Sequence, residues 1–245
     1  MKQRADRLLV ARGLAESRTR AQALIAAGLV LCDGRPLVKA SQDLEEKAEL
    51  IVTGRDHPWV SRGGVKLAAA LDAFGLNPSD RVCLDLGAST GGFVDVLLSR
   101  GAAKVYAVDV GRGQLAARLS ADPRVVSLEQ TDARSLTGSL VIEPIELLSA
   151  DLSFISLILA LPAALDLVAP GGRLIALVKP QFEAGPAAVG KGGILRDPAV
   201  RLAAVAKVRT WLDAQVGWTV EDVIDSPIAG GDGNREALLS ARRES

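Results

Sequence analysis

The chain has 245 residues, 49% hydrophobic and 24% charged. This excludes a disordered polypeptide and leaves room for one medium domain and one small one. The formal net charge is zero, so bulk charge alone points to no polyanion. One histidine, His57, and two cysteines, Cys32 and Cys83, with no Cys-x-x-Cys, exclude a zinc site by ligand count and leave a Ser-His-Asp triad without its spacing.

Charge is unevenly placed. Residues 1–40 carry eight Lys/Arg against three acids, a surplus of +5 that the other 205 residues cancel. A basic head on a mildly acidic body implies either a polyanion partner or a solvated basic surface. Within the head, Arg4 to Ala11 has helical apolar spacing and Gly13 stops it. Ser17 reads as the N-cap of a second helix through Ala27, ended by Gly28. Arg18 and Arg20 fall in that helix's first turn, where cations oppose the dipole, so their purpose lies elsewhere. Leu29 to Cys32 is strand-like, Asp33-Gly34 signals a turn, and Glu49 to Thr53 is another strand. The first part of Gly54 to Gly64 reads as a linker, giving a head over 1–58 and a body over 59–245.

The body alternates helix and strand. Helix Val65–Phe74 precedes strand Val82–Leu86, a Gly-rich loop and helix Gly92–Ser99. Strands at Lys104–Asp109, Val125–Leu128 and Glu146–Ala150 lead to helix Ile155–Val168 and strand Arg173–Val178. After a long Gly-rich loop, Asp197 caps and Pro198 starts a helix to Ala214, and strands follow at Thr219–Ile224 and Ala237–Ala241. This order predicts an α/β fold of the Rossmann-like, doubly wound kind: a mostly parallel sheet covered on both faces, behind a small α+β head. The most apolar stretch, Ile155 to Ala169, is broken by Pro162 and Asp166 and falls short of the ~20 residues of a membrane span. No signal-peptide pattern is present and the cysteines fall in separate domains, so the expected location is the cytoplasm, with neither membrane nor metal as a partner.

Strand ends should carry the chemistry. Asp85-Leu-Gly87-Ala-Ser89-Thr90-Gly91-Gly92-Phe93 joins a buried strand to a helix, but its glycines do not fit G-x-G-x-x-G. An acid before the loop suits a cofactor with positive charge, such as S-adenosylmethionine, better than a pyrophosphate. Asp109, about 20 residues beyond the loop, is placed to bond ribose hydroxyls. Asp132, read as ending the third strand, is placed for an adenine amino group. Each acid singly reads equally well as a cap. Asp151 and Lys179 end the fourth and fifth strands and should open onto the same crevice. A lysine shielded from water gives up its proton more readily, which is what deprotonating a ribose hydroxyl needs. The alternative is a structural ion pair. Phe154 lines the pocket or joins the core. The loop Gly185 to Arg196, with Lys191 and Arg196, is long enough for a substrate-contacting lid, and Arg62 adds a cation beside Lys66.

VSRGGVKL, DLGASTGGF, YAVDVG, DLSFISL, LVKPQFE, GKGGILRDP and GGDGNRE together resemble the TlyA family, also labelled hemolysin A, within the FtsJ/RrmJ-like methyltransferases. The head resembles an S-four-like RNA-binding fold. The resemblance implies methyl transfer from S-adenosylmethionine to a ribose 2′-hydroxyl of ribosomal RNA, on a cytidine of small- or large-subunit RNA. It also implies a Lys-Asp-Lys-Glu tetrad at Lys66, Asp151, Lys179 and Glu236, with Lys179 as base; for Lys66 and Glu236 the residues alone would suggest solvated side chains. Arg4, Arg18, Arg20 and Lys39 are the expected phosphate contacts of the head, which position without reading sequence. Aromatics are nearly absent from residues 1–55, so folded RNA shape is the expected target. The rival readings are a methyltransferase for proteins or small molecules, a membrane-active hemolysin, and a ribosome-assembly factor with secondary chemistry.

Overall fold

The computed structural model describes residues 2–15, 17–54, 57–190 and 192–245. They divide into two units, Met1–Pro58 with Gly231–Gly233 and Trp59–Gly230 with Asn234–Ser245.

The smaller unit contains β1 (Lys2–Arg4), α1 (Ala5–Ala11), α2 (Arg18–Ala26), β2 (Val30–Cys32), β3 (Arg35–Pro36), β4 (Asp43–Glu45) and β5 (Leu50–Val52). β1 pairs antiparallel with β4, and β2 lies between β3 and β5. Leu8, Leu9, Leu24, Ile25 and Val30 close a small core between the helices and strands. Ser17 caps α2 as expected, its hydroxyl accepting from Arg20 N. Arg4 ends β1 instead of opening α1; its backbone is extended at φ −58°, ψ 140°. β1, β3 and β4 went unread because two or three residues, mostly exposed, carry no usable period.

The larger unit contains α3 (Gly63–Ala73), β6 (Val82–Leu86), α4 (Gly92–Ser99), β7 (Lys104–Val108), α5 (Ala117–Ser120), β8 (Val125–Leu128), β9 (Ile145–Ala150), α6 (Leu157–Ala160), α7 (Pro162–Leu167), β10 (Val168–Val178), α8 (Pro180–Glu183), α9 (Pro198–Asp213), β11 (Trp218–Asp225) and β12 (Ala237–Arg243). Seven strands form one sheet in the order β11-β12-β10-β9-β6-β7-β8. β12 runs antiparallel to β10 and β11, and the remaining pairs are parallel. Alternate residues along each strand feed two cores. Leu84, Leu86, Leu148 and Leu174 pack with α6, α7 and α9, while Cys83, Leu147, Ile175 and Leu238 pack with α3 and α4. Each such leucine, fully buried, contributes roughly 1.5–3 kcal/mol.

The helix expected over 155–168 is two short helices. Pro162 lacks the N–H that would continue α6 and starts α7 instead, and Val168 is already extended. β10 accordingly begins at Val168, with an irregularity before Arg173.

Candidate active site

Strand order reverses at β6, whose neighbours are β9 and β7. Such a reversal leaves a crevice beyond the carboxyl ends of the strands. The residues following β6 and β9 meet there. Asp151 N donates to Leu86 O at 2.9 Å, and a Cβ on Gly87 would lie 2.5 Å from Asp151 O. Gly87 also has φ +80°, so glycine is what lets the two loops close on each other. The crevice holds a cavity of about 480 Å³. Gly87, Ser89, Asp109, Asp132, Asp151 and Phe154 line it, against an apolar wall of Val108, Leu152, Ile155 and Ala160.

The acids differ in what they can offer. Asp109 follows β7, and its two oxygens accept from Ser89 N at 2.8 Å and Gly111 N at 2.7 Å, which fixes the carboxylate at the cavity edge. Asp132 does not end the third strand, because β8 stops at Leu128. Asp132 caps a 3-10 turn over Ala133–Ser135, and the hydrogen-bonded Arg134 guanidinium, 2.6 Å away, holds its carboxyl at about 2. Asp85 is drawn inside the sheet and does not line the cavity. Its Oδ1 accepts from Ser149 Oγ at 2.7 Å, its Oδ2 has no hydrogen-bond partner, and burial pushes the carboxyl well above the usual range. Burial and the unpaired Oδ2 set this carboxyl apart from Asp109, whose two oxygens are both hydrogen-bonded at the cavity edge.

Four loop residues also stand off the cavity wall. Phe93 is buried in the α3/α4 core, because the first turn of α4 points it at the sheet. Thr90 is exposed and its carbonyl accepts from Ala116 N at 3.2 Å. Gly91, at φ +96°, starts α4 where a side chain would collide with Leu119. Gly92 lets Ser61 and Gly64 lie against that turn; a Cβ there would be 3.0 Å from Gly64 N. Phe154 lies on the cavity and outside the core. It is 92% exposed, holds φ +66°, and its ring centroid is 5.3 Å from that of Phe182.

Beside the cavity lies a charged cluster. Ser149 and Asp151, Leu177 and Lys179, and Leu238 and Glu236 are two apart on their strands or just past them, so all three charges project toward the α3/α4 side. Val178 is paired with Ala237, which puts Lys179 and Glu236 at the next position of the antiparallel register. Lys66, one turn into α3, reaches Glu236 at 2.6 Å, both side chains being buried. Lys179 Nζ lies 2.6 Å from Asp151 Oδ1 and donates to Ser153 Oγ at 2.8 Å. The two pairs converge: a Cβ on Gly63, at the start of α3, would be 3.5 Å from Asp151 Oδ2. Buried Glu183 accepts from Leu157 N at 2.8 Å and from Ser156 Oγ, tying the segment after Lys179 to the loop after Asp151. Ser153, Ser149 and Glu183 carry no sequence signal, since nothing local marks them as partners of distant charges.

The remaining cations divide by partner. Arg62 donates to Ala229 O at 2.9 Å, Arg196 is exposed, and Lys191 lies outside the described residues. In the smaller unit Lys39 is exposed and Arg20 is half-buried. Arg4 and Arg18, far apart in sequence, both bind Asp6, at 3.0 and 3.1 Å, and Gln22 donates to the same carboxylate at 2.8 Å. Asp6 has no exposed surface, and its hydrogen bond with Arg4 leads the interactions that hold its carboxyl far below the usual range. The cations stand out in the sequence, whereas the acid that gathers them carries no local signal.

A switch-point cavity and an adjacent lysine-carboxylate cluster on a mostly parallel sheet, with a small accessory unit, have the arrangement of an α/β methyltransferase. The family models agree: residues 59–243 match the FtsJ-like methyltransferase and residues 3–50 the S4 domain. The chain belongs to the FtsJ-like methyltransferases, in the TlyA branch that carries an S4 domain. It is 48% identical over 242 residues to the 16S/23S rRNA (cytidine-2′-O)-methyltransferase TlyA of Mycobacterium tuberculosis, covering 98% of this chain and 90% of that protein. A putative rRNA methyltransferase, YqxC of Bacillus subtilis, is 46% identical, covering 97% of this chain and 85% of that one. A solved structure, a putative hemolysin from Streptococcus thermophilus, superposes with a TM-score of 0.78 at 40% identity, over 100% of this chain and 89% of that one.

Proposed function

We propose that the protein methylates a ribose 2′-hydroxyl of ribosomal RNA, at a cytidine of the small or large subunit, using S-adenosylmethionine. The observation that carries the reading is the double membership of Asp151. It is part of the cavity wall and also the partner of Lys179, so a group bound in the cavity and a hydroxyl at the lysine would be adjacent. The cavity's acid edge at Asp109 and its apolar wall suit a nucleoside, and Gly87, Ser89, Asp132 and Phe154 complete the contacts. When bound, S-adenosylmethionine supplies a methyl group on a positively charged sulfur.

The chain's own part is to position and deprotonate. Lys179 is placed to accept the proton of the 2′-hydroxyl; with the cofactor bound, the methyl–sulfur bond would break as the new oxygen–carbon bond forms. Asp151 and Ser153 fix the ammonium in place and stabilise it once formed. Lys66 and Glu236 hold each other beside that lysine and orient the ribose. Residues 1–58 form the RNA-binding part and 59–245 the catalytic part. Arg4, Arg18, Arg20 and Lys39 meet phosphates in the first, and Arg62, Lys191 and Arg196 in the second.

The location proposed is the cytoplasm, where ribosomes are the partner. No helix among the described residues is long and apolar enough to cross a membrane. A methylated ribose resists alkali, which gives the test. Ribosomal RNA treated with the protein and S-adenosylmethionine is hydrolysed with alkali. One new resistant dinucleotide is expected; methylation confined to bases would sink the 2′-hydroxyl assignment.

A further inference from the structure

Glu236 borders a second recess, separate from the cavity, of about 230 Å³. Its other walls include Arg201, Asp225, Ser226 and Arg235. Arg201 stands near the start of α9 with 16% of its side chain exposed. Its Nη2 is paired with Asp225, yet Nε on the same guanidinium edge is buried without a hydrogen-bond partner. Arg235 is exposed and makes no ion pair among the described residues. Of the two acids, Glu236 is answered by Lys66 and Asp225 by Arg201 Nη2, which leaves Arg235 as the charge beyond the pairs. The recess therefore keeps a positive balance and an unused donor, which suits an anion that accepts along a guanidinium edge.

The recess is also rigidly tied to the catalytic cluster. Ser226 N donates to Glu236 O at 3.0 Å, and Arg62, just before α3, donates to Ala229 O. We infer that Arg201 and Arg235 clamp a backbone phosphate of the RNA close to the target nucleotide, Arg201 donating from Nε. The inference rests on the reading of the protein as an RNA methyltransferase and adds a substrate subsite to it. A phosphate held there fixes the strand relative to Lys179.

The test is steady-state methyl transfer to ribosomal RNA over a series of KCl concentrations, for wild type, Arg235→Ala, Arg235→Lys and Arg201→Gln. Loss of either arginine should raise KM for RNA roughly tenfold with kcat within about twofold. The slope of log KM against log salt should shrink by roughly 0.7–0.9 per lost contact, and Arg235→Lys should restore it. Arg201 is mostly buried, so the exposed Arg235 decides the matter if Arg201→Gln unfolds. An unchanged KM and slope in Arg235→Ala overturns the clamp while leaving the methyltransferase reading intact. A raised KM with an unchanged slope overturns the phosphate as ligand. A wild-type protein that transfers no methyl group to RNA removes the underlying reading and the clamp with it.

Discussion

Replacing Lys66 with methionine isolates the buried half of the charged cluster. The side chains of Lys66 and Glu236 are 9% and 2% exposed and 2.6 Å apart. Methionine fills the lysine stem's volume but leaves Glu236 a buried carboxylate with no counter-charge. Breaking a buried pair in this way costs about 3–5 kcal/mol. In a domain of this size each kcal/mol lowers Tm by about 2–4 °C, so thermal denaturation followed by circular dichroism should show a loss of roughly 6–20 °C. The double variant Lys66→Met, Glu236→Met removes both charges and should recover most of that loss, because a well-packed apolar pair often matches a buried ion pair in stability. Neither variant should transfer methyl groups, because both lack the ribose-orienting pair. A single variant that melts within about 2 °C of wild type would show that water reaches Glu236. That result would refute the buried-pair account.

Other consequences follow from close contacts and backbone strain. A Cβ at Gly230 would be 2.5 Å from Glu236 Oε1, so Gly230→Ala should push the carboxylate off Lys66 and cut kcat by at least tenfold; cofactor affinity, read by calorimetry, should stay near wild type. Phe154 holds φ +66° with its ring exposed on the cavity. Phe154→Gly should therefore leave stability equal or higher by about 1 kcal/mol in urea melts while weakening cofactor binding; a clear loss of stability would show the ring to be structural. Asp6→Asn should cost roughly 1.5–3 kcal/mol in the smaller unit and weaken RNA binding, since Arg4 and Arg18 lose their common anchor. Its carboxyl value is depressed by folding, so the stabilisation is complete above the unfolded value near 3.9 and is lost as pH falls below it. The gap between wild type and Asp6→Asn should accordingly close in acid, and a gap constant down to pH 2 would contradict the ion-pair origin.

What was readable in the sequence was what is local. Ser17, Asp197 and Pro198 mark helix starts within two residues of where they act. The strands β6, β7 and β9 are runs of apolar residues bounded by polar turns, and the charges after them fall at a sheet edge by topology alone. What was not readable depends on strands meeting from far apart. Asp85 looks the same in sequence as Asp109, but Asp85 lies within β6 and faces Ser149 of β9, while Asp109 stands one residue past β7. Asp132 looks like a strand end because β8 has no sharp stop; three residues separate it from Leu128, and it caps the turn that follows. Asp6 is a lone acid among cations, and only the fold brings Arg4 and Arg18 to it.

The central step is proton acceptance by Lys179 from a ribose beside the cavity. Purified wild type and Lys179→Ala are incubated with labelled S-adenosylmethionine and ribosomal subunits from a strain lacking the enzyme, and cofactor binding is measured for both. The prediction is methyl transfer to alkali-resistant positions by wild type alone, with the variant at least a thousandfold slower and binding cofactor normally. Transfer by Lys179→Ala at a rate near wild type would contradict the account, because the proton would then leave by some other route.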